Sequence, residues 1–253
     1  MKRTILITGA TSGIGLATAR KFAENNYNLI ITGRRKERLD ALRDELLGKN
    51  PGIKILSLVF DVRSLTQVVE KLGKLEPEWN RIDILLNNAG LAVGLNHIDD
   101  GVIDDWERMI DTNIKGLLYV TRVVSPGMVE RGGGHIINIG SIAGKEVYEN
   151  GNVYCATKHA VDALSRSMRI DLVKHGIKVT NVAPGLVKTE FSDVRFKGDR
   201  EKAELPYKGM KPLSGEDVAD VIYYCASLPP HVNIDDVLVM PAAQASSTII
   251  HRD

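Results

Sequence analysis

Thr8-Gly9-Ala10-Thr11-Ser12-Gly13-Ile14-Gly15 is the stretch that most restricts what this chain can fold into. It follows the apolar run Thr4 to Ile7 and precedes a segment with Ala17, Phe22 and Ala23 along one side of a helix. A strand that turns into a helix through three glycines brings backbone N–H groups close to an anion, and the helix N-terminus adds a favourable field. The spacing is G-x3-G-x-G rather than the G-x-G-x-x-G of many dinucleotide-binding units. Between a first strand and a first helix, the turn reads as a pyrophosphate cradle made by Gly9, Thr11, Ser12, Gly13, Ile14 and Gly15.

The same rhythm continues along the chain. Apolar runs at Asn28 to Thr32, Ile53 to Phe60, Ile82 to Leu86, His135 to Gly140, Ile177 to Val182 and Val237 to Met240 are predicted strands. Helical patterns fall between them, at Lys36 to Leu47, Ile103 to Val129, from Tyr154 onward, and at Glu216 to Leu228. Such alternation specifies an α/β fold with a parallel sheet. No repeat, low-complexity tract or linker interrupts the 253 residues, so one domain over 1–253 is expected. Leu186 to Ser214 has mixed charge and no period, and a segment of that length is read as a lid. Lys+Arg 33 against Asp+Glu 32 gives no bias toward nucleic acid or an anionic membrane. No apolar run approaches the ~20 residues of a membrane span, and the N-terminal run is too short for a signal-peptide core. A cytoplasmic location is expected. Two cysteines, Cys155 and Cys225, make no metal or disulfide framework.

In a parallel sheet, ligands gather at the C-terminal strand ends. The second strand ends in Gly33-Arg34-Arg35 with no carboxylate before Glu37, where an NAD-binding unit carries an acid for the ribose 2′-OH. Arginine there suits a 2′-phosphate, and each charge-assisted contact is worth about 1.5–3 kcal/mol, roughly 10- to 150-fold in affinity. The cofactor is therefore expected to be NADP. Arg34 is the expected contact, with Arg35 sharing it or lying solvated at a helix start. Asp61, before Val62, is placed to bond the adenine ring or to cap the helix near Ser64, and the two roles are compatible. Asn88, Ala89 and Gly90 line the mouth of the fourth strand, and Pro184 and Gly185 that of the sixth.

Ser141 stands at the mouth of the fifth strand. Tyr154 and Lys158 are four apart and share one helix face. A free phenol has a pKa of about 10, too high for a proton shuttle at neutral pH, and burial raises it. A nearby cation works the other way, and Lys158 is placed to supply it. Hydroxyl, phenol and ammonium together make a site for moving a proton at a carbonyl or alcohol oxygen. Cys155 points away on the helix and reads as a packed thiol. Asn113, amid Ile110, Ile114 and Leu117, is expected to face inward. Tyr-x3-Lys recurs at Tyr207 and Lys211, but Pro206, Gly209 and Pro212 argue against a helix there, so that pair is read as loop.

Assembled in order, TGATSGIG at 8 to 15, NNAG at 87 to 90, Asn113, Ser141, YCATK at 154 to 158 and PG at 184 to 185 resemble the short-chain dehydrogenase/reductase family over essentially the whole chain. The resemblance implies a single-domain Rossmann fold with a doubly wound, seven-stranded parallel sheet. It also implies a catalytic set of Asn113, Ser141, Tyr154 and Lys158. Ser141 would hold the substrate oxygen, Tyr154 would pass the proton, Lys158 would bond the nicotinamide ribose and lower the tyrosine pKa, and Asn113 would position a water. Val187 and Thr189 would hold the carboxamide. Dimers or tetramers would form through the helices carrying Asn113 and Tyr154.

A narrower resemblance lies in TEFSDVRFKGDREKAE at 189 to 204, PLSGEDVAD at 212 to 220 and HVNIDDVLVMPAAQ at 231 to 244. These look like the NADP-dependent 3-hydroxy acid dehydrogenases, which oxidise serine and allo-threonine. On that basis Arg195, or else Lys197, is expected to bind the substrate carboxylate, unless Arg195 is a surface or interface residue. Alternatives are an NADPH-dependent carbonyl reductase acting on a sugar, ketone or 3-oxoacyl thioester, and a non-catalytic NADP-binding regulator.

Overall fold

Strands buried on both faces are mostly apolar, and the central ones here are, with buried polar residues such as Asn87 and Asn138 bonded to each other. The computed structural model describes residues 2–253; Met1 lies outside the described residues. Strands β1 (Thr4–Ile7), β2 (Asn28–Gly33), β3 (Ile55–Val59), β4 (Ile84–Asn87), β5 (Gly134–Ile139), β6 (Ile177–Pro184) and β7 (Asp236–Val239) form one sheet in the order β3-β2-β1-β4-β5-β6-β7. Every pairing is parallel. All four residues of β1 and of β4 are buried.

Alternate side chains divide between two cores, as the period of two requires. Ile5, Ile7, Leu29 and Ile31 face a layer holding helices α1 (Gly13–Glu24), α2 (Lys36–Lys49) and α9 (Gly215–Ser227). Leu6, Ile30 and Leu85 face the layer of α3 (Leu65–Leu72), α5 (Leu117–Arg131) and α6 (Asn152–Leu172). The sheet is a doubly wound Rossmann arrangement. Its strand order reverses between β1 and β4, and the crevice over that point is where such sheets bind ligands.

The expected helix Ile103 to Val129 is instead three pieces. They are α4 (Ile103–Ile110), a π turn (Asp111–Gly116) and α5. The 3.6 period cannot reveal the extra residue that a π turn inserts. The aperiodic stretch 186–214 contains α7 (Phe191–Arg195), α8 (Arg200–Glu204) and a 3-10 turn at Leu205–Tyr207. No helix among the described residues is long and apolar enough to cross a membrane.

Candidate active site

β5 delivers Ser141 to the rim of a cleft of about 530 Å³, and α6 places Tyr154 and Lys158 on the same wall. The Ser141 hydroxyl accepts from the Ala143 N–H at 3.1 Å. Lys158 is only 6% exposed, and its ammonium donates to the Ile139 carbonyl at 2.8 Å. Burial lowers its pKa to about 8. The Tyr154 phenol is pushed well above its ordinary value, first by burial and then by nearby Tyr148, with Ser141 and Arg195 opposing.

That balance differs from the expected one. Lys158 Nζ lies 6.0 Å from the Tyr154 ring centre and is engaged by Ile139. The cation drawing the phenol down is Arg195, whose guanidinium carbon sits 5.6 Å from the Tyr154 ring and 5.4 Å from that of Tyr148. Arg195 donates to the Tyr148 hydroxyl at 2.9 Å, while its buried Nε has no partner among the described residues. Lys197, the other expected carboxylate ligand, instead pairs at 2.7 Å with Asp105, whose side chain is 5% exposed. It does so from a left-handed backbone at φ 52°, which disfavours a non-glycine residue. The Gly94 N–H holds the Arg195 carbonyl at 3.0 Å, so this end of the segment is fastened to the loop before α4.

Asn113 faces inward but lies behind the cleft wall. Its Oδ1 accepts from the Leu91 N–H at 2.9 Å, and its Nδ2 donates to the Leu91 carbonyl at 2.8 Å and to Thr157 Oγ1 at 3.0 Å. It therefore ties the loop after β4 to α6.

The other half of the cleft fits a dinucleotide. Gly9 and Gly13 have φ of 69° and 53°, values that only glycine adopts freely. Ser12 sits at the N-cap of α1 without a capping bond. No acidic residue occupies the first turn of α1, leaving this helix N-terminus suited to a pyrophosphate. Gly15 does not line the cleft. A Cβ there would meet the Gly9 carbonyl oxygen at 2.4 Å, so this glycine serves close packing. Asn88 closes the floor by donating to the Thr8 and Gly9 carbonyls, while the Thr8 hydroxyl accepts from the Asn88 and Ala89 N–H groups. Ile14, Val62, Gly90, Pro184 and Gly185 line the remaining wall.

Of the two arginines after β2, Arg35 is the one built into the glycine turn. It donates to Thr11 Oγ1 at 2.7 Å and to Ser12 Oγ at 2.9 Å. Arg34 is 61% exposed and stands 3.8 Å from Asp61. Asp61 is not the cap of α3, since the Ser64 hydroxyl accepts from the Gln67 N–H. Burial would raise the Asp61 carboxyl, but bonds from Arg63 win and hold it below its ordinary range.

The family model described as short chain dehydrogenase matches residues 3–200. The chain belongs to the short-chain dehydrogenase family. This dehydrogenase is 50% identical over 250 residues to the NADP-dependent 3-hydroxy acid dehydrogenase YdfG of Salmonella typhi, covering 98% of this chain and 99% of the relative. It is 44% identical over 255 residues to sulfoacetaldehyde reductase 2 of Chromohalobacter salexigens, covering 100% of both. Among solved structures it resembles the closed form of a serine dehydrogenase complexed with NADP+, at 48% identity and a TM-score of 0.91 over 99% of this chain and 100% of that one.

Several contacts of the dehydrogenase's cleft escaped the sequence reading, although Thr189 was itself expected there. Tyr207, read as loop, is 8% exposed; its hydroxyl donates to the Val187 carbonyl at 2.9 Å and lies 2.6 Å from Ser192 Oγ. Thr189 lies over the turn, where a Cβ on Gly13 would come within 3.2 Å of it. Phe191 sets its ring 5.7 Å from that of Tyr154, and Glu190 reaches back to Arg35. Nothing in local periodicity marks these contacts, because their partners lie far away in sequence.

Proposed function

We propose that this dehydrogenase interconverts small 3-hydroxy acids, L-serine and L-allo-threonine among them, with their 3-oxo acids, using NADP. The observation that carries the reading is Arg195, a guanidinium stacked over the Tyr154 ring with an unpartnered, buried Nε. A half-buried cation beside the proton-transfer group selects a substrate with an anion close to its alcohol carbon. Gly9, Thr11, Ser12, Gly13 and Arg35 hold the pyrophosphate and 2′-phosphate end of the cofactor, and Val187 with Thr189 the carboxamide end. NADP supplies a nicotinamide ring that exchanges hydride with the substrate carbon.

Ser141 holds the substrate oxygen by its hydroxyl. Tyr154, held neutral by burial, donates its proton to a carbonyl oxygen; in oxidation it first releases that proton along the path through Lys158 to solvent, and the phenolate so formed takes the one from the alcohol. Lys158, with a pKa of about 8, stands next in the proton path, and Asn113 fixes the wall behind it. Residues 186–214 act as the lid of a single domain over 1–253, bringing Arg195 to the substrate. Copies of the chain associate through the outer faces of α4–α5 and α6. Two unpaired, buried cysteines fit a reducing cytoplasm. Arg195 would suit a sulfonate as well, so reduction of a small sulfonated aldehyde is the second reading, in keeping with the 44% identical reductase.

Turnover of L-serine, L-allo-threonine, 3-hydroxybutyrate, a neutral secondary alcohol and sulfoacetaldehyde, each with NADP(H) and NAD(H), tests this. Selective use of NADP with the hydroxy acids is expected. Arg195→Met should raise KM for serine roughly tenfold or more, the loss of one charge-assisted contact, with little effect on the neutral alcohol. Equal effects on both substrates would remove the arginine from substrate binding.

A further inference from the structure

We infer that Glu190, the first residue before α7, is an anionic competitor for the cations of the 2′-phosphate site and thereby sets how strongly this enzyme prefers NADP to NAD. The inference rests on the NADP reading above. Arg35 is held on one side by Thr11 and Ser12 of the glycine turn, and its Nη1 donates to Glu190 Oε2 at 3.0 Å. Arg38, one helical turn further along α2, gives Nη1 to both Glu190 oxygens, at 2.7 and 2.9 Å. One carboxylate thus engages two guanidinium groups beside the cradle. Carboxylate and phosphate want the same planar donor fork.

A ribose 2′-phosphate arriving on Arg35 meets a carboxylate already there. The Glu190 side chain is 46% exposed, so it can swing aside into water, and the phosphate, carrying the larger charge, takes the fork. NAD brings no such group and leaves the carboxylate in place. Glu190 lies between Thr189, over the glycine turn, and Phe191, against Tyr154, so the exchange acts on the segment that carries Arg195. Arg38 becomes a third cation for the phosphate once Glu190 has moved.

Calorimetric titration of NADP and of NAD into the intact wild-type, Glu190→Gln and Glu190→Ala proteins tests this without turnover. Both variants should bind NADP about three- to tenfold tighter at low salt, with NAD affinity changed by less than about twofold, the size of effect expected for a partly screened like charge. The gain should shrink in about 0.5 M salt, where exposed charges are screened over a few Å. Weaker NADP binding in both variants would show that the carboxylate aligns Arg35 rather than competes for it, and would overturn the inference. An equal change for both cofactors would overturn it too. A wild type that binds both cofactors alike would sink the NADP reading alone, because the inference is then still decided by whether Glu190→Gln converts parity into a preference for NADP.

Discussion

Lys158 carries opposite demands in one side chain. Four residues after Tyr154, it was placed on the right helix face by spacing alone, since i and i+4 coincide whatever the rest of the chain does. Spacing could not show that its ammonium turns to the Ile139 carbonyl, or that the cation over the phenol comes from residue 195, a contact that exists only once the chain around α7 folds back over α6. The burial has a consequence for stability. Its pKa in the folded chain, about 8, lies below the ordinary 10.5. Below pH 8 both folded and unfolded chains keep the proton, and the folded one bears the desolvation cost. Between about pH 8 and 10.5 the folded chain releases it while the unfolded chain holds it, so stability rises with pH. In urea unfolding at a series of pH values, the stability of the wild type relative to Lys158→Met should climb by up to about 3 kcal/mol across that window. A difference that stays constant with pH would mean the ammonium is charged and solvated in the native protein.

The helical stretch after the β4 loop shows what a secondary element adds beyond its residues. Its helical character was readable from the apolar period, and Asn113 could be placed inward from its neighbours. The π turn could not be read, because one inserted residue leaves the flanking periods intact. The same limit applied to 186–214, where α7 is held by contacts distant in sequence such as Ser192 to Tyr207. Within the π turn, Asn113 satisfies both backbone groups of Leu91, a residue that is itself buried. Asn113→Ala leaves a buried N–H and a buried C=O without their partner. At about 1–3 kcal/mol per orphaned group, it should lose roughly 2–6 kcal/mol in urea unfolding. It should also speed hydrogen exchange at Leu91, a change that a mere loss of side-chain volume would not focus on one amide. A loss below about 1 kcal/mol with Leu91 still protected would show that other groups replace the amide.

Across the whole molecule, the alternation of strands and helices was enough to specify a parallel α/β sheet, because each apolar run but the last is followed by a helix. The strand order is not local information: the family resemblance implied seven parallel strands, and the fold supplies their order and the division of Leu6 and Ile7 between the two cores. What this packing leaves uncovered points outward. Ile103, Ile110 and Leu118 are exposed along α4 and α5, and Ile170 on α6 is 76% exposed. Ile103 and Ile110 are two turns apart, and the residue added by the π turn brings Leu118 back into line with them. An apolar line of this kind on helices that already pack together is suited to the same line on a second copy related by a two-fold axis. Light scattering coupled to gel filtration should therefore give a dimer or tetramer mass for the wild type. Ile110→Glu combined with Leu118→Glu should shift it to monomer, since two buried like charges would face their own copies across the axis. Circular dichroism and NADP binding should stay near wild type, because neither residue lines the cleft or enters the two cores. An unchanged mass in the double variant would move the interface away from these helices.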